Sequence, residues 1–261
     1  MTSVHPLATL FSLEGKTAIC TGVTGGIGTE ICTTLAEAGV DIVSIQLEGD
    51  PNGAPLRAAV EALGRSFHAF ECDVADSKAL RETFFRIWAE GIVPDILLNC
   101  AGINRRGPVV DLTDEDIDAV LAINLKASYV AAQEFARRLL ALRRPGKVIN
   151  MGSMLCFLGM YNVSAYAASK GGVLQMTKAF SNEWAADGIQ VNCICPGYLK
   201  TPMTKKIVED PEYSAYIMKR TPARRWGEPK DLRGALIFLA SPASDFVTGT
   251  SIVVDGGMLG M

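Results

Sequence analysis

The chain repeats one pattern, a short apolar run of strand length followed by a longer stretch with helical spacing. Residues 16–20 (KTAIC), 41–46 (DIVSIQ), 66–72, 95–99 (DILLN), 147–151, 189–195 and 251–254 read as strands. Between them, residues 26–38, 56–63, 77–88, 113–129, 130–142, 165–186 and 230–240 have helical spacing. Strands that alternate with helices form a parallel sheet, because each helix carries the chain back to the edge from which the next strand starts. The expected fold is therefore α/β, a doubly wound sheet of seven parallel strands with helices on both faces. A length of 261 residues suits one large domain or two small ones. No linker-like shift in composition, repeat or low-complexity tract divides the chain, so a single domain over residues 1–261 is expected. Residues 197–227 are too long for an ordinary connection and read as an irregular lid or substrate loop.

Composition narrows the function classes. A hydrophobic share of 49% against 20% charged residues excludes intrinsic disorder. The net charge is -3, without the clustered basic excess that nucleic-acid or membrane-surface binding needs. The first fifteen residues lack a basic stretch followed by an apolar one, and no run approaches the ~20 apolar residues of a membrane span. The seven cysteines, at 20, 32, 72, 100, 156, 193 and 195, are odd in number and form no C-x-x-C or Cys/His cluster. That spacing argues against a disulfide framework or a metal site and for a reducing compartment. A cytoplasmic protein is expected. His5 and His68 read as structural or exposed, and Asp187 and Asp245 as surface. Thr113, with Asp116 three residues on, reads as a helix cap in an acidic first turn.

The segment Thr21-Gly22-Val23-Thr24-Gly25-Gly26-Ile27-Gly28 lies between the first strand and the first helix. Glycines there let the backbone turn sharply and approach a phosphate. The helix N-terminus that follows offers free N–H groups and a partial positive charge. Together they point to a dinucleotide. At the end of the second strand stands Gln46, neither the carboxylate that suits a ribose 2′-hydroxyl nor the arginine that suits a 2′-phosphate. Gln46 is followed by Leu47-Glu48-Gly49-Asp50, with no basic residue, which tilts the choice towards NAD over NADP.

Tyr166 and Lys170 are four apart on a helical stretch and share a face. A tyrosine hydroxyl is a poor base at neutral pH. An ammonium one turn away and a positive nicotinamide ring both favour its phenolate, which makes the pair suited to proton exchange. Ser153, just past the fifth strand, is placed to bond a substrate oxygen.

The form Thr-Gly-x-x-x-Gly-x-Gly resembles that of the short-chain dehydrogenase/reductase family. Asn99-Cys100-Ala101-Gly102 is similar to that family's N-N-A-G, with Cys in place of the second Asn. Asp73 matches its adenine-contacting aspartate. Asn124, Ser153, Tyr166 and Lys170 match its catalytic tetrad, in which Asn124 holds a water that contacts Lys170. Pro196-Gly197 and Val254-Asp255-Gly256-Gly257 match two further signatures.

The resemblance implies a Rossmann fold and hydride transfer between nicotinamide C4 and a carbinol carbon. It implies NAD or NADP held by Gly22, Thr24, Gly26, Ile27, Gly28, Gln46, Asp73, Val74, Asn99, Ala101, Gly102, Tyr166, Lys170, Pro196, Gly197, Leu199 and Thr201. It also implies a homotetramer with the 165–186 helix and the last strand at its interfaces.

Within the family, Ile103-Asn104-Arg105-Arg106, Ser153-Met154-Leu155, Asn182-Glu183-Trp184-Ala185, Pro196-Gly197-Tyr198 and Arg225-Trp226-Gly227 resemble the 2-deoxy-D-gluconate 3-dehydrogenase and gluconate 5-dehydrogenase branch. That implies a sugar acid or polyol as small-molecule substrate. Candidate substrate contacts are Arg105, Arg106, Ser153, Leu155, Tyr166 and Tyr198, with an arginine fork suited to a carboxylate. Tyr198, Met203 and Trp226 bracket the long loop and are candidates for closing over the substrate. The apolar stretch 155–160 admits two readings, a pocket lining for a more hydrophobic ketone or a buried wall. A third reading is a non-catalytic dinucleotide sensor on the same fold; the intact Ser153, Tyr166 and Lys170 weigh against it.

Overall fold

The structure is a computed structural model and describes residues 6–261; His5 lies outside the described residues. A short helix α1 (Pro6–Leu10) precedes β1 (Thr17–Thr21), α2 (Gly26–Glu37), β2 (Asp41–Gln46), α3 (Gly53–Ala62) and β3 (Phe67–Glu71). Then come α4 (Ser77–Ala89), β4 (Ile96–Asn99), α5 (Asp114–Leu121), α6 (Ala127–Leu142), β5 (Gly146–Met151) and α7 (Ser164–Trp184). The chain closes with β6 (Ile189–Pro196), α8 (Lys205–Val208), α9 (Pro211–Arg220), α10 (Arg233–Ala240) and β7 (Ser251–Val254). The strands form one parallel sheet in the order β3-β2-β1-β4-β5-β6-β7. This is the doubly wound Rossmann architecture expected from the alternation.

Both sheet faces are covered, which is why the strands are apolar at successive positions rather than at every second one. Along β1, Ala18 and Cys20 point to one face and Ile19 to the other. In β4, Ile96 and Leu98 face the first side and Leu97 the second. The first face packs on Ile31 and Leu35 of α2, Val60 of α3 and Leu236 of α10. The second packs on Phe84 of α4, Phe135 of α6 and Phe180 of α7.

β1 pairs with β2 on one side and β4 on the other, in register Thr21↔Ile45 and Thr21↔Asn99. The connections leaving β1 and β4 therefore run in opposite directions. The sheet opens a crevice beyond the carboxyl ends of these strands, the place where such folds bind ligands. The Thr21 hydroxyl accepts from the backbone N–H groups of Cys100 (3.2 Å) and Ala101 (3.3 Å) and ties the two strand ends together.

Several expectations change. Residues 113–142 form one helical run rather than two helices, and the break lies inside it as a π turn at Ala122–Lys126. A π turn inserts one residue without ending the helix, so hydrophobic spacing alone does not show it. Thr113 does cap α5, its hydroxyl accepting from the Asp116 N–H at 3.2 Å.

Residues 197–227 are not irregular, since they hold α8 and α9. Asp210 caps α9 by accepting from the Glu212 and Tyr213 N–H groups, each at 3.0 Å, and Pro211 opens it. An Asp-Pro start is a legible signal that the length of the segment masked. His68 and Asp187 are exposed. Asp245 is exposed as well, but its carboxylate accepts from the buried Lys147 ammonium at 2.7 Å. Among the described residues, no helix is long and apolar enough to cross a membrane.

Candidate active site

A cavity of about 560 Å³ lies over the carboxyl ends of β1, β4, β5 and β6. Three groups of predicted residues line it. From the first turn come Gly22, Thr24, Gly26, Ile27 and Gly28. Gln46, Asp73, Val74, Ala101 and Gly102 come from the ends of β2, β3 and β4. The far side is built by Ser153, Tyr166, Lys170, Pro196, Gly197, Leu199 and Thr201.

The glycine turn is shaped by close backbone approach. Gly22 has φ +67°, and a side chain there would sit 2.5 Å from Ala101 Cα. A Cβ on Gly28 would collide with the Gly22 carbonyl oxygen. The cap of α2, Gly25, supplies no side chain to the helix N-terminus, and a Cβ at Gly25 would meet nothing within 4 Å. The turn therefore presents bare helix N–H groups to open space inside a cavity, which fits the pyrophosphate of a dinucleotide.

Opposite the turn, Lys170 is 4% exposed. Its ammonium donates to the Met151 carbonyl oxygen at 2.6 Å and lies 5.6 Å from the Tyr166 ring centroid. A short sequence of contacts holds it there. A Cβ at position 102 would come within 3.3 Å of Asn124 Oδ1 and 3.7 Å of Lys170 Nζ, so Gly102 keeps this corner open. Ser153 is extended at φ -167°. Its hydroxyl oxygen accepts from the Leu155 N–H at 3.1 Å, which leaves the O–H free to donate into the cavity.

Not every predicted residue reaches the cavity. Asn99 is 2% exposed, and its amide donates to Asn150 Oδ1 (2.9 Å) and the Ser128 carbonyl (3.3 Å). It braces β4 against β5 and does not line the site. Asn124 is carried by the π turn and is 1% exposed. Its side chain accepts from the Ile103 N–H (2.8 Å) and donates to the Ile103 carbonyl and to Ser169 Oγ, each at 3.0 Å. Its amide therefore clasps the segment after β4 to α7.

Leu155 is buried among Met154, Val163 and Met258, with Leu158 and Met160 packed against them. The 155–160 stretch thus builds a wall, apart from the exposed Phe157. Tyr198 lines a smaller neighbouring cavity of about 220 Å³, with its hydroxyl donating to Met160 Sδ at 3.4 Å. Burial and the Tyr213 hydroxyl push its phenol up, so it stays neutral. Trp226 is buried, donates to Ser214 of α9 at 2.8 Å and meets the Tyr198 ring edge-on. It anchors the 197–227 segment, whereas Met203 reaches the main cavity. Arg105 and Arg106 are exposed, and Arg105 is paired with Asp116 at 3.4 Å.

Asp50 joins the expected residues at the cavity. It lines the cavity beside Gln46, Leu47 and Asn52, and its carboxylate accepts from the Thr24 hydroxyl at 2.6 Å. Its signal was an acid in the turn after the second strand. What the sequence lacks is the fold of that turn, which brings Asp50 back to the glycine turn.

The comparisons agree with this architecture. The family described as Enoyl-(Acyl carrier protein) reductase matches residues 22–259. The chain belongs to the short-chain dehydrogenase/reductase family and is an oxidoreductase of that family, acting on CH–OH groups with NAD or NADP. It is 42% identical over 250 residues to a 2-dehydro-3-deoxy-D-gluconate 5-dehydrogenase of Pseudoalteromonas atlantica, covering 96% of this chain and 98% of that protein. It is 40% identical over 258 residues to a 5-keto-D-gluconate 5-reductase of Escherichia coli, covering 96% and 98%. A solved gluconate 5-dehydrogenase from Burkholderia cenocepacia, in complex with NADP and tartrate, superposes with TM-score 0.93 at 38% identity, covering 98% of this chain and 99% of that one.

Gly22→Ala is expected to destabilise the protein by at least the ~1–2 kcal/mol of a left-handed non-glycine residue, with the Ala101 contact added. Denaturant unfolding without coenzyme measures it, and an unchanged midpoint would contradict the close approach.

Proposed function

We propose that this chain interconverts a secondary alcohol and a ketone on a gluconate-type sugar acid, with NAD(H) preferred over NADP(H). The observation that carries the reading is that Ser153, Tyr166 and Lys170 share one cavity with the glycine turn. When bound, the nicotinamide coenzyme supplies the hydride acceptor or donor. Gly22, Gly26, Ile27 and Gly28 would seat its pyrophosphate, and Asp73 and Val74 its adenine end. The Tyr166 hydroxyl exchanges the proton of the substrate oxygen as general acid or base. The Lys170 ammonium stabilises negative charge as it develops on the tyrosine oxygen. The free O–H of Ser153 donates to the substrate oxygen and steadies its alkoxide character. Asn124 positions Lys170 by fixing α7 through Ser169 and the chain through Ile103, and Asn99 supports the coenzyme floor indirectly.

Relatives named for gluconate-type substrates support the sugar acid. Of the two arginines, Arg106 is the better carboxylate ligand, because Arg105 already has Asp116. Leu155 then acts as wall behind the substrate. The preference for NAD rests on Asp50, Gln46 and the absence of Lys or Arg among the residues lining that end of the cavity. A carboxylate there repels a 2′-phosphate and accepts from a 2′-hydroxyl. The NADP of the Burkholderia relative shows that its own site accepts the phosphorylated coenzyme. A homotetramer completes the reading, supported by the exposed Tyr129 on α6 and Val253 on the edge strand β7, and the free cysteines support a cytoplasmic location.

Tyr166→Phe is expected to lower kcat by at least about 100-fold, the scale of a lost general acid–base group, with coenzyme affinity retained. Retained kcat would remove Tyr166 from this role. A substrate panel of keto acids, polyols and apolar ketones with both coenzymes should favour carboxylated substrates and NADH. No advantage of a carboxylate over its neutral analogue would overturn the sugar acid, and a strong preference for NADPH the coenzyme reading. Light scattering should give a mass of four chains, and a monomer would overturn the tetramer.

A further inference from the structure

Three cysteine thiols meet directly behind the catalytic corner. Cys193 and Cys195 lie on one face of β6, and Cys156 ends the single 3₁₀ turn (Met154–Cys156) that starts at Ser153. Cys195 Sγ is 3.7 Å from Cys193 Sγ and 3.8 Å from Cys156 Sγ. They converge on Gly152, where a Cβ would sit 2.6, 2.8 and 3.0 Å from the sulfurs of Cys193, Cys195 and Cys156. Cys193 and Cys195 are 0% exposed, whereas Cys156 is the partly exposed member of the three.

We propose that Cys156 and Cys195 are an oxidation site, closing a disulfide under a peroxide and thereby switching the active site off. The partner choice follows from geometry. Residues two apart on a strand have Cα atoms about 6.6 Å apart. That is the upper edge of disulfide spacing, and a regular strand holds it there. Cys156 comes from a separate short turn that can shift towards β6. Its thiol donates to the Lys170 carbonyl at 3.1 Å, while its sulfur receives the Cys195 thiol and the Ser153 N–H (3.4 Å), two donors that favour the thiolate that reacts with peroxide. The Cys193 and Cys195 thiols hold the Cys156 thiol well below the ordinary thiol range.

The chemistry balances. The Cys156 thiolate attacks one peroxide oxygen and becomes a sulfenic acid as hydroxide leaves. The Cys195 sulfur then displaces the sulfenic oxygen, and its proton leaves with that oxygen as water. Two thiols lose two electrons and hydrogen peroxide becomes two waters. Drawing the sulfurs from 3.8 Å to a bond length of about 2.05 Å moves the turn that begins at Ser153. Ser153 loses its capped geometry, and a misplacement of about 1 Å at a reacting group can cost on the order of 100-fold in rate.

The test treats the purified full chain with hydrogen peroxide, blocks free thiols and maps cross-links by mass spectrometry without reduction. A Cys156–Cys195 link is expected, with activity falling at least tenfold and returning with dithiothreitol. Cys156→Ser and Cys195→Ser should each lose the link and keep activity under peroxide. Absence of that link, or equal inactivation of both serine variants, overturns the proposal. The link is read by mass alone, so its absence is distinguishable from a wrong substrate or coenzyme assignment.

Discussion

The architecture depends on the approach of two backbones. Gly22, just beyond β1, passes so close to Ala101, just beyond β4, that no side chain fits between them. The Thr21 hydroxyl fastens the same two strand ends. Because the connections leave in opposite directions here, a crevice opens, and its floor is backbone rather than side chains. In the function proposed above, a dinucleotide lies against that floor and meets the bare N-terminus of α2. A side chain at Gly22 would force the two strand ends apart.

On the other side of the crevice, buried polar side chains do the positioning. Asn99 bonds Asn150, and Asn150 bonds Thr177 of α7 at 2.9 Å. Asn124 joins the chain after β4 to Ser169, next to Lys170. Each such bond adds only about 1 kcal/mol net, but leaving one partner buried and unpaired costs about 1–3 kcal/mol. That asymmetry is what makes the network rigid. It keeps the Lys170 ammonium under the Tyr166 ring although the ammonium is almost wholly out of water. The π turn belongs to the same device, since it lets Asn124 face the network inside an otherwise regular helix.

The strands and the cavity's residues were legible to different degrees. The apolar runs that read as strands are strands because both faces of the sheet are covered, and burial on both faces leaves a signal in every residue. The glycine turn and the Tyr166–Lys170 pair were legible because local geometry requires them, a left-handed or crowded backbone in one case and one helical turn in the other. Asn99 and Asn124, expected at the coenzyme and in the catalytic tetrad, have side chains turned into the bracing network rather than into the cavity. The sequence places them near the site, but the direction of a side chain depends on its neighbours. Asp50 was not legible as a cavity residue for the same reason, as it is held there by a bond to Thr24, 26 residues earlier.

The sequence by itself determined the alternation, hence the parallel sheet, and the two local motifs to which the proposed chemistry is assigned. These follow from periodicity and from backbone sterics, which act within a few residues. Only the tertiary structure decided which polar groups face the cavity and which brace it, which arginine is already paired, and that three cysteines far apart in sequence share one space. Those outcomes are set by contacts between segments separated by many residues. Their distances are fixed by packing the two layers of helices onto one sheet, and no stretch of sequence contains them.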